Sequence, residues 1–268
     1  MKRPDILLTV VALPILGFVF IQAIQTPKMT SLSQAAALEP ASRVESPARA
    51  ATTVRVAAGM ASPRLADSSG AAAMAPARDV EEIRDRLRRG ASGTYIDEIL
   101  LARDSALARW PERVARPIRV WIGAGSSLNG WDNDFVARVR SAFDEWSLVG
   151  IPVRFVFVVD SSDAEVKVRW IDEFKEPISG KTLWARDRNG WIMNGNITLA
   201  LRHDGGEALD ARAVKAIALH EVGHLLGLDH TNDTSNIMTP RVRVRDLSEA
   251  DRATVLLLYS VPPGSIKG

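Results

Sequence analysis

The segment HEVGHLLGLDH, running from His220 to His230, restricts the fold of this chain more than any other. It holds three of the four histidines present in 268 residues. With the residues before it, LDARAVKAIALHEVGHLLG reads as a helix with Asp210 at the N-cap. Gly227 stands where a helix commonly ends in a left-handed residue. At about 100° per residue, His220 and His224 leave such a helix in nearly one direction, and Ala218, Val222 and Leu225 leave it in the other. The helix can therefore bury an apolar face and hold both imidazoles opposite. Glu221 is displaced by one residue from the histidine face. A sharp turn at Gly227 would bring His230 back to the same point. Gly223, inside the helix, costs up to about 1 kcal/mol relative to alanine; a close backbone approach and plain tolerance both account for it.

The chain has no cysteine. Disulfides, thiol catalysis, thiolate ligands and iron–sulfur clusters are excluded, so a metal must be held by His, Asp, Glu or backbone oxygen. Three neutral imidazoles around one ion leave a fourth tetrahedral position for water, as in catalytic rather than structural zinc sites. Glu221 can reach such a water without binding the metal and serve as general base in peptide hydrolysis. The expected function is thus a zinc-dependent metalloendopeptidase with His220, His224 and His230 as ligands and Glu221 as general base. The alternative is a non-catalytic, zinc-stabilised peptide-binding module, in which Glu221 would be free to vary. A net charge of +2 gives no sign of nucleic-acid binding. The partner expected is a protein or peptide substrate.

H-E-x-x-H-x-x-G-x-x-H resembles the signature of the metzincin zinc endopeptidases. LGLDHT followed by IMTP is most similar to the matrixin branch, the matrix-metalloproteinase-like enzymes, with Thr231 as the small hydroxyl residue after the third histidine. The resemblance spans about residues 117–262, through VRSAFDEWS, PVRFVFV, DAEVKVRW and LSEADRATVLLLY. It implies an α/β (α+β) zincin-like fold. A twisted, mostly parallel sheet with one antiparallel edge strand would pack on the active-site helix and a C-terminal helix. It makes Met238, in SNIMTP, the residue of a methionine turn beneath the zinc: a packing floor and not a ligand. It also implies an edge strand that pairs with extended peptide, with residues 181–186 or 190–194 as candidates. Two features of the family are missing. No cysteine is present to block the zinc in a latent form. The second, structural zinc of the vertebrate enzymes is not expected, since only His203 remains to serve it and the loop between VRWIDEF and KTLWARD is short. Calcium at Asp160, Asp163, Asp172, Asp187 or Asp204 has no positive support, and surface solvation explains each carboxylate. Asp251 matches an acidic position in the family's last helix, which capping explains equally well.

The rest of the chain supplies the setting. Residues 1–24 read as a signal or anchor: Lys2 and Arg3 precede nineteen uncharged residues, Ile6 to Ile24. Cleavage near Ala23 and retention as a membrane anchor both remain open, and either places the remainder outside the cytoplasm. Residues 25–78 are rich in Ala, Ser and Pro and read as a disordered linker. Residues 79–116 read as a helical N-terminal extension, with an inhibitory or docking role as a lesser alternative. Here DVEEIRDRLRRG forms a charged helix, and Ile96, Ile99, Leu100 and Leu107 repeat at helical spacing. A matrixin-like catalytic domain is expected over 117–263. Its elements are strands at 117–122, 153–159, 164–171 and 196–201, and a helix at 132–150 with a stripe of Phe135, Val136, Val139, Phe143 and Trp146. An Asn-Gly hairpin falls at 187–191. A last helix is N-capped by Ser248, with Ala250, Ala253, Leu257 and Leu258 inward. Trp121, Trp146, Trp170 and Trp184 read as core or cleft-wall residues.

Overall fold

A computed structural model describes residues 79–203 and 205–267. The expected signal or anchor segment, the linker and Asp204 lie outside the described residues. Among the described residues no helix is long and apolar enough to cross a membrane.

The first helix, α1 (Val80–Gly90), starts where Asp79 caps it by accepting from the Glu82 backbone N–H. Helix α2 (Ile96–Ala102) is shorter than the apolar spacing suggests. Asp104 and Ser105 adopt φ of 54° and 58°, which stops the helix. Leu107 then falls in strand β1 (Ala106–Leu107), and its burial is that of a strand residue. Strand β1 pairs antiparallel with β7 (Gly264–Ser265), joining the extension to the C-terminal end.

Strand β2 (Arg113–Ile122) begins before the expected residue 117. Its register against β3 (Val153–Phe157) shifts between Arg113 and Ile118, which accommodates Pro117 within the strand. Helix α3 (Asp134–Leu148) buries Phe135, Val139, Ala142, Phe143 and Trp146, with Val136 half-buried at the margin of the stripe. Strand β4 (Val166–Ile171) alternates inward Val166, Val168 and Trp170 with outward Lys167 and Arg169, as its period of two requires. Strands β5 (Gly180–Arg186) and β6 (Ile192–Ala200) form the hairpin. Asp187 accepts from the Asn189 and Trp191 N–H groups, and Gly190 takes φ +91°. The extended piece after the turn and the strand expected at 196–201 are one continuous strand, Ile192–Ala200.

The five-stranded sheet has the order β3-β2-β4-β6-β5. β2 is parallel to β3 and β4, β4 is parallel to β6, and β5 runs antiparallel to β6 at the edge. This is the mixed sheet with one antiparallel edge strand that the resemblance implies. The edge belongs to 181–186. The other candidate, 190–194, lies inside it, where Arg109 exchanges backbone hydrogen bonds with Gly190 and Ile192.

Helix α4 (Ala211–Leu225) packs against α3, β5 and β6, with Asp210 accepting from Ala213 N–H at its start. Its end is fully accounted for. Leu228 N–H donates to Gly223 O and Gly227 N–H to His224 O, the paired bonds of a left-handed helix stop. Trp146 donates to Leu219 O, Trp110 to Leu225 O and Tyr259 to Leu226 O. Helix α5 (Glu249–Tyr259) opens with a capping box of Ser248 and Asp251. Its most buried positions are Asp251, Thr254, Val255 and Leu258, and Ala250 and Ala253 are only half-buried. The expected face is rotated because Asp251 and Thr254 are drawn inward by hydrogen bonds to Tyr95.

Gly227 has φ +101°, and a Cβ there would run into Ala108 O. Replacement by alanine adds left-handed strain of about 1–2 kcal/mol to this overlap. A Gly227→Ala chain is expected to lose roughly 2–5 kcal/mol of stability, read from denaturant midpoints, since overpacking adds about 1–3 kcal/mol.

Candidate metal centre

α4 and the turn after it bring His220, His224 and His230 together. The three Nε2 atoms lie 3.0, 3.2 and 3.3 Å apart. Backbone carbonyls orient two of the rings. His220 Nδ1 donates to Ile237 O at 2.8 Å and His224 Nδ1 to Leu228 O at 3.1 Å. A carbonyl can only accept, so both Nδ1 atoms carry the proton and both Nε2 lone pairs point inward. Lone pairs facing one another at this distance repel unless a cation lies between them. Nitrogens at 2.0–2.1 Å around a tetrahedral zinc stand about 3.3 Å apart, so the donor set fits zinc. Burial pushes the His220 imidazole down to about 4, holds that of His224 well below its usual range and lowers that of His230. Neutral imidazole is the form that ligates.

Glu221 is 4 % exposed and belongs to no ion pair among the described residues. Burial raises its carboxyl to about 7, against the pull of a hydrogen bond from Thr182. Thr182 Oγ1 lies 2.5 Å from Glu221 Oε2 and 3.0 Å from Glu221 O. Gly180 gives room for the same carboxylate, since a Cβ there would overlap Glu221 Oε1. The edge strand thus touches the buried acidic side chain beside the imidazoles. Neither Thr182 nor Gly180 is marked in the sequence. Alternation along β5 puts them on one face, but only the packing of β5 on α4 shows which face meets Glu221.

Met238 is fully buried, and its Sδ lies against Gly223. A Cβ on Gly223 would overlap that sulfur, so close approach, not tolerance, accounts for this glycine. Thr231 N–H donates to Met238 O, tying the residue after His230 to Met238. Asp251 does more than cap: it accepts from Ile237 N–H, whose own carbonyl orients His220.

A family model for matrixin matches residues 127–260. The chain belongs to the matrixin family. Matrixins use a catalytic zinc, and the three imidazoles are placed to hold it. Among curated relatives, Metalloendoproteinase 1-MMP of Arabidopsis thaliana is 31 % identical over 145 residues, 46 % of this chain and 37 % of that protein. Karilysin of Tannerella forsythia is 32 % identical over 136 residues, 46 % of this chain and 28 % of that protein. Metalloendoproteinase 1 of Glycine max is 24 % identical over 153 residues, 49 % of this chain and 48 % of that protein. The chain therefore spans less than half the length of each of these relatives.

The remaining candidates stand apart from this matrixin centre. His203 is on an exposed loop, with Nδ1 2.9 Å from Ser179 Oγ. Asp160 caps a short turn by accepting from Ser162 N–H, Asp172 pairs with Arg202, Asp187 holds the hairpin and Asp163 is exposed. Each of these four acts locally or is solvated. Trp146 is a core residue, Trp170 is nearly so, and Trp121 and Trp184 are half-buried.

Titration with zinc is expected to saturate at one ion per chain. At a free zinc concentration 100 times Kd, mass action should stabilise the fold by about 2.7 kcal/mol, seen as a raised melting temperature. His230→Ala should remove most of that rise.

Proposed function

We propose that this matrixin is an exported zinc-dependent endopeptidase in which His220, His224 and His230 hold the metal and Glu221 is the general base. The observation that carries the reading is the buried Glu221 carboxylate, fixed by Thr182 beside three converging imidazoles. Zinc held there supplies Lewis acidity toward a water and a peptide carbonyl. Glu221 accepts the proton of the attacking water and delivers it to the departing amine. A carboxyl brought close to neutrality can do both. Met238 serves as a packed floor under the ligands. An extended peptide lies along β5, the sheet's open edge, by strand addition. This puts its backbone beside the strand that carries Gly180 and Thr182. The basic start and apolar run of residues 1–24 support export, and N-terminal sequencing of the mature protein distinguishes a cleaved signal from a retained anchor.

In the full chain, Glu221→Ala should keep one zinc and lose cleavage of an unstructured protein by about 10²–10⁴-fold, the usual contribution of a general base. A mutant that cleaves as fast as its parent would falsify the mechanism. Zinc binding with no cleavage across a diverse peptide library would favour the binding-module alternative. Thr182→Val leaves Glu221 Oε2 without its donor. A hydrogen bond to a charged group is worth about 1.5–3 kcal/mol, so kcat is expected to fall roughly 10–100-fold with KM little changed. Thr182→Ser, which keeps the hydroxyl, should retain most activity.

A further inference from the structure

The segment that carries His230 is held from outside the region matched to matrixin. After Gly227 the chain is Leu228, Asp229, His230, Thr231, Asn232, with no helix or strand of its own. Two side chains at opposite ends of α2 grip it. Arg103 uses all three guanidinium nitrogens: Nε donates to Asp229 Oδ2 at 2.9 Å, Nη1 to Gly227 O at 2.8 Å and Nη2 to Leu228 O at 2.9 Å. Glu98 accepts from Thr231 Oγ1 at 2.9 Å on one oxygen, and from Asn232 N–H and Nδ2 at 2.8 and 2.9 Å on the other. His230 lies between these two grips. Asp229 links the Arg103 grip to it directly, since its other oxygen accepts from His230 N–H at 2.8 Å.

The Arg103 fork also reaches the second imidazole. Leu228 O, which it engages, is the carbonyl that orients His224 Nδ1. Arg103 and Asp229 are 13 % and 19 % exposed at their side chains, so their pairing is largely shielded from solvent. The guanidinium further lies 5.3 Å from the ring centroid of Trp184, on the edge strand. Helix α2 is itself anchored, with Ile96 and Ile99 fully buried in the common core.

We propose that α2 is a fixed part of the metal centre, in which Glu98 and Arg103 are positioning residues for His230. This rests on His230 being a metal ligand, as the proposed function has it. A loop free to move would have to be ordered each time the third nitrogen met the metal, and that entropy would weaken binding. Clamping it on both sides removes the cost beforehand. Partners that orient ligands typically contribute 10–100-fold to metal affinity. The extension is then not an inhibitory segment to be shed: removing its contacts weakens the site instead of opening it.

The test uses the full chain and zinc itself, with affinity measured by competition against a chromophoric chelator. The visible spectrum of the cobalt(II)-substituted protein reports ligand geometry separately from activity. Glu98→Ala and Arg103→Ala are each expected to lower zinc affinity about 10–100-fold and to alter the cobalt bands. Arg103→Lys keeps the charge but not the planar fork, so it should resemble Arg103→Ala. Glu98→Gln keeps an acceptor and should recover part of the loss. If an alanine variant does not fold, the two conservative variants decide the matter. Folded variants with affinities within twofold of the parent and unchanged cobalt spectra would overturn the clamp, as would variants that cleave faster than the parent. If His230→Ala kept parental zinc affinity, the metal-centre reading would fall and the clamp with it. If His230→Ala lost zinc while the Glu98 and Arg103 variants kept it, only the clamp would fall.

Discussion

Three imidazole nitrogens held 3.0–3.3 Å apart, with the lone pairs of His220 and His224 turned toward one point, set the terms for the rest of this structure. Such an arrangement is unfavourable without a cation. It persists because each ring is fixed by something other than its neighbours. His220 and His224 are fixed by carbonyls from two different turns, and His230 by the chain reversal at Gly227. The reversal depends on the helix stop, and the stop depends on every late carbonyl of α4 finding a donor. Trp110 supplies the donor for Leu225 O and Tyr259 the donor for Leu226 O, where the helix backbone has none to offer.

The same logic extends to Glu221. A buried carboxyl with no cationic partner among the described residues is costly, and burial raises it to about 7. The single hydroxyl of Thr182 fixes its direction without pairing its charge. That setting suits the general-base role proposed for Glu221. Glycines at 180, 223 and 227 clear space for the carboxylate, the methionine sulfur and the turn in that order. Each is small because another atom occupies the place of its side chain.

What could be read from the sequence was local. Helical phase separates the histidine face from Ala218, Val222 and Leu225, and Asp210, Gly227 and Ser248 mark helix ends because capping is decided within four residues. The Asn-Gly turn and the alternation of β4 are equally local. The matrixin resemblance then supplied the mostly parallel sheet with its one antiparallel edge strand, while the strand order came from the structure. Where local pattern fails, a distant partner is the cause. Leu107 continues the apolar spacing of α2, yet pairing of β1 with the C-terminal β7 takes it out of the helix. Ala250 and Ala253 lose their expected place because Tyr95 reaches Asp251 and Thr254 across about 160 residues of chain. Thr182, Glu98 and Arg103 carry no motif at all; their roles exist only once β5 and α2 are packed on α4 and its turn.

X-ray absorption at the zinc edge of the one-zinc full chain addresses the centre itself. Three histidine ligands predict light-atom scatterers at about 2.0–2.1 Å, with three imidazole rings in the outer shells and no sulfur near about 2.3 Å. Two imidazoles, or a sulfur contribution from Met238, would contradict the account, because either would mean that the turn at Gly227 does not deliver His230 to the metal.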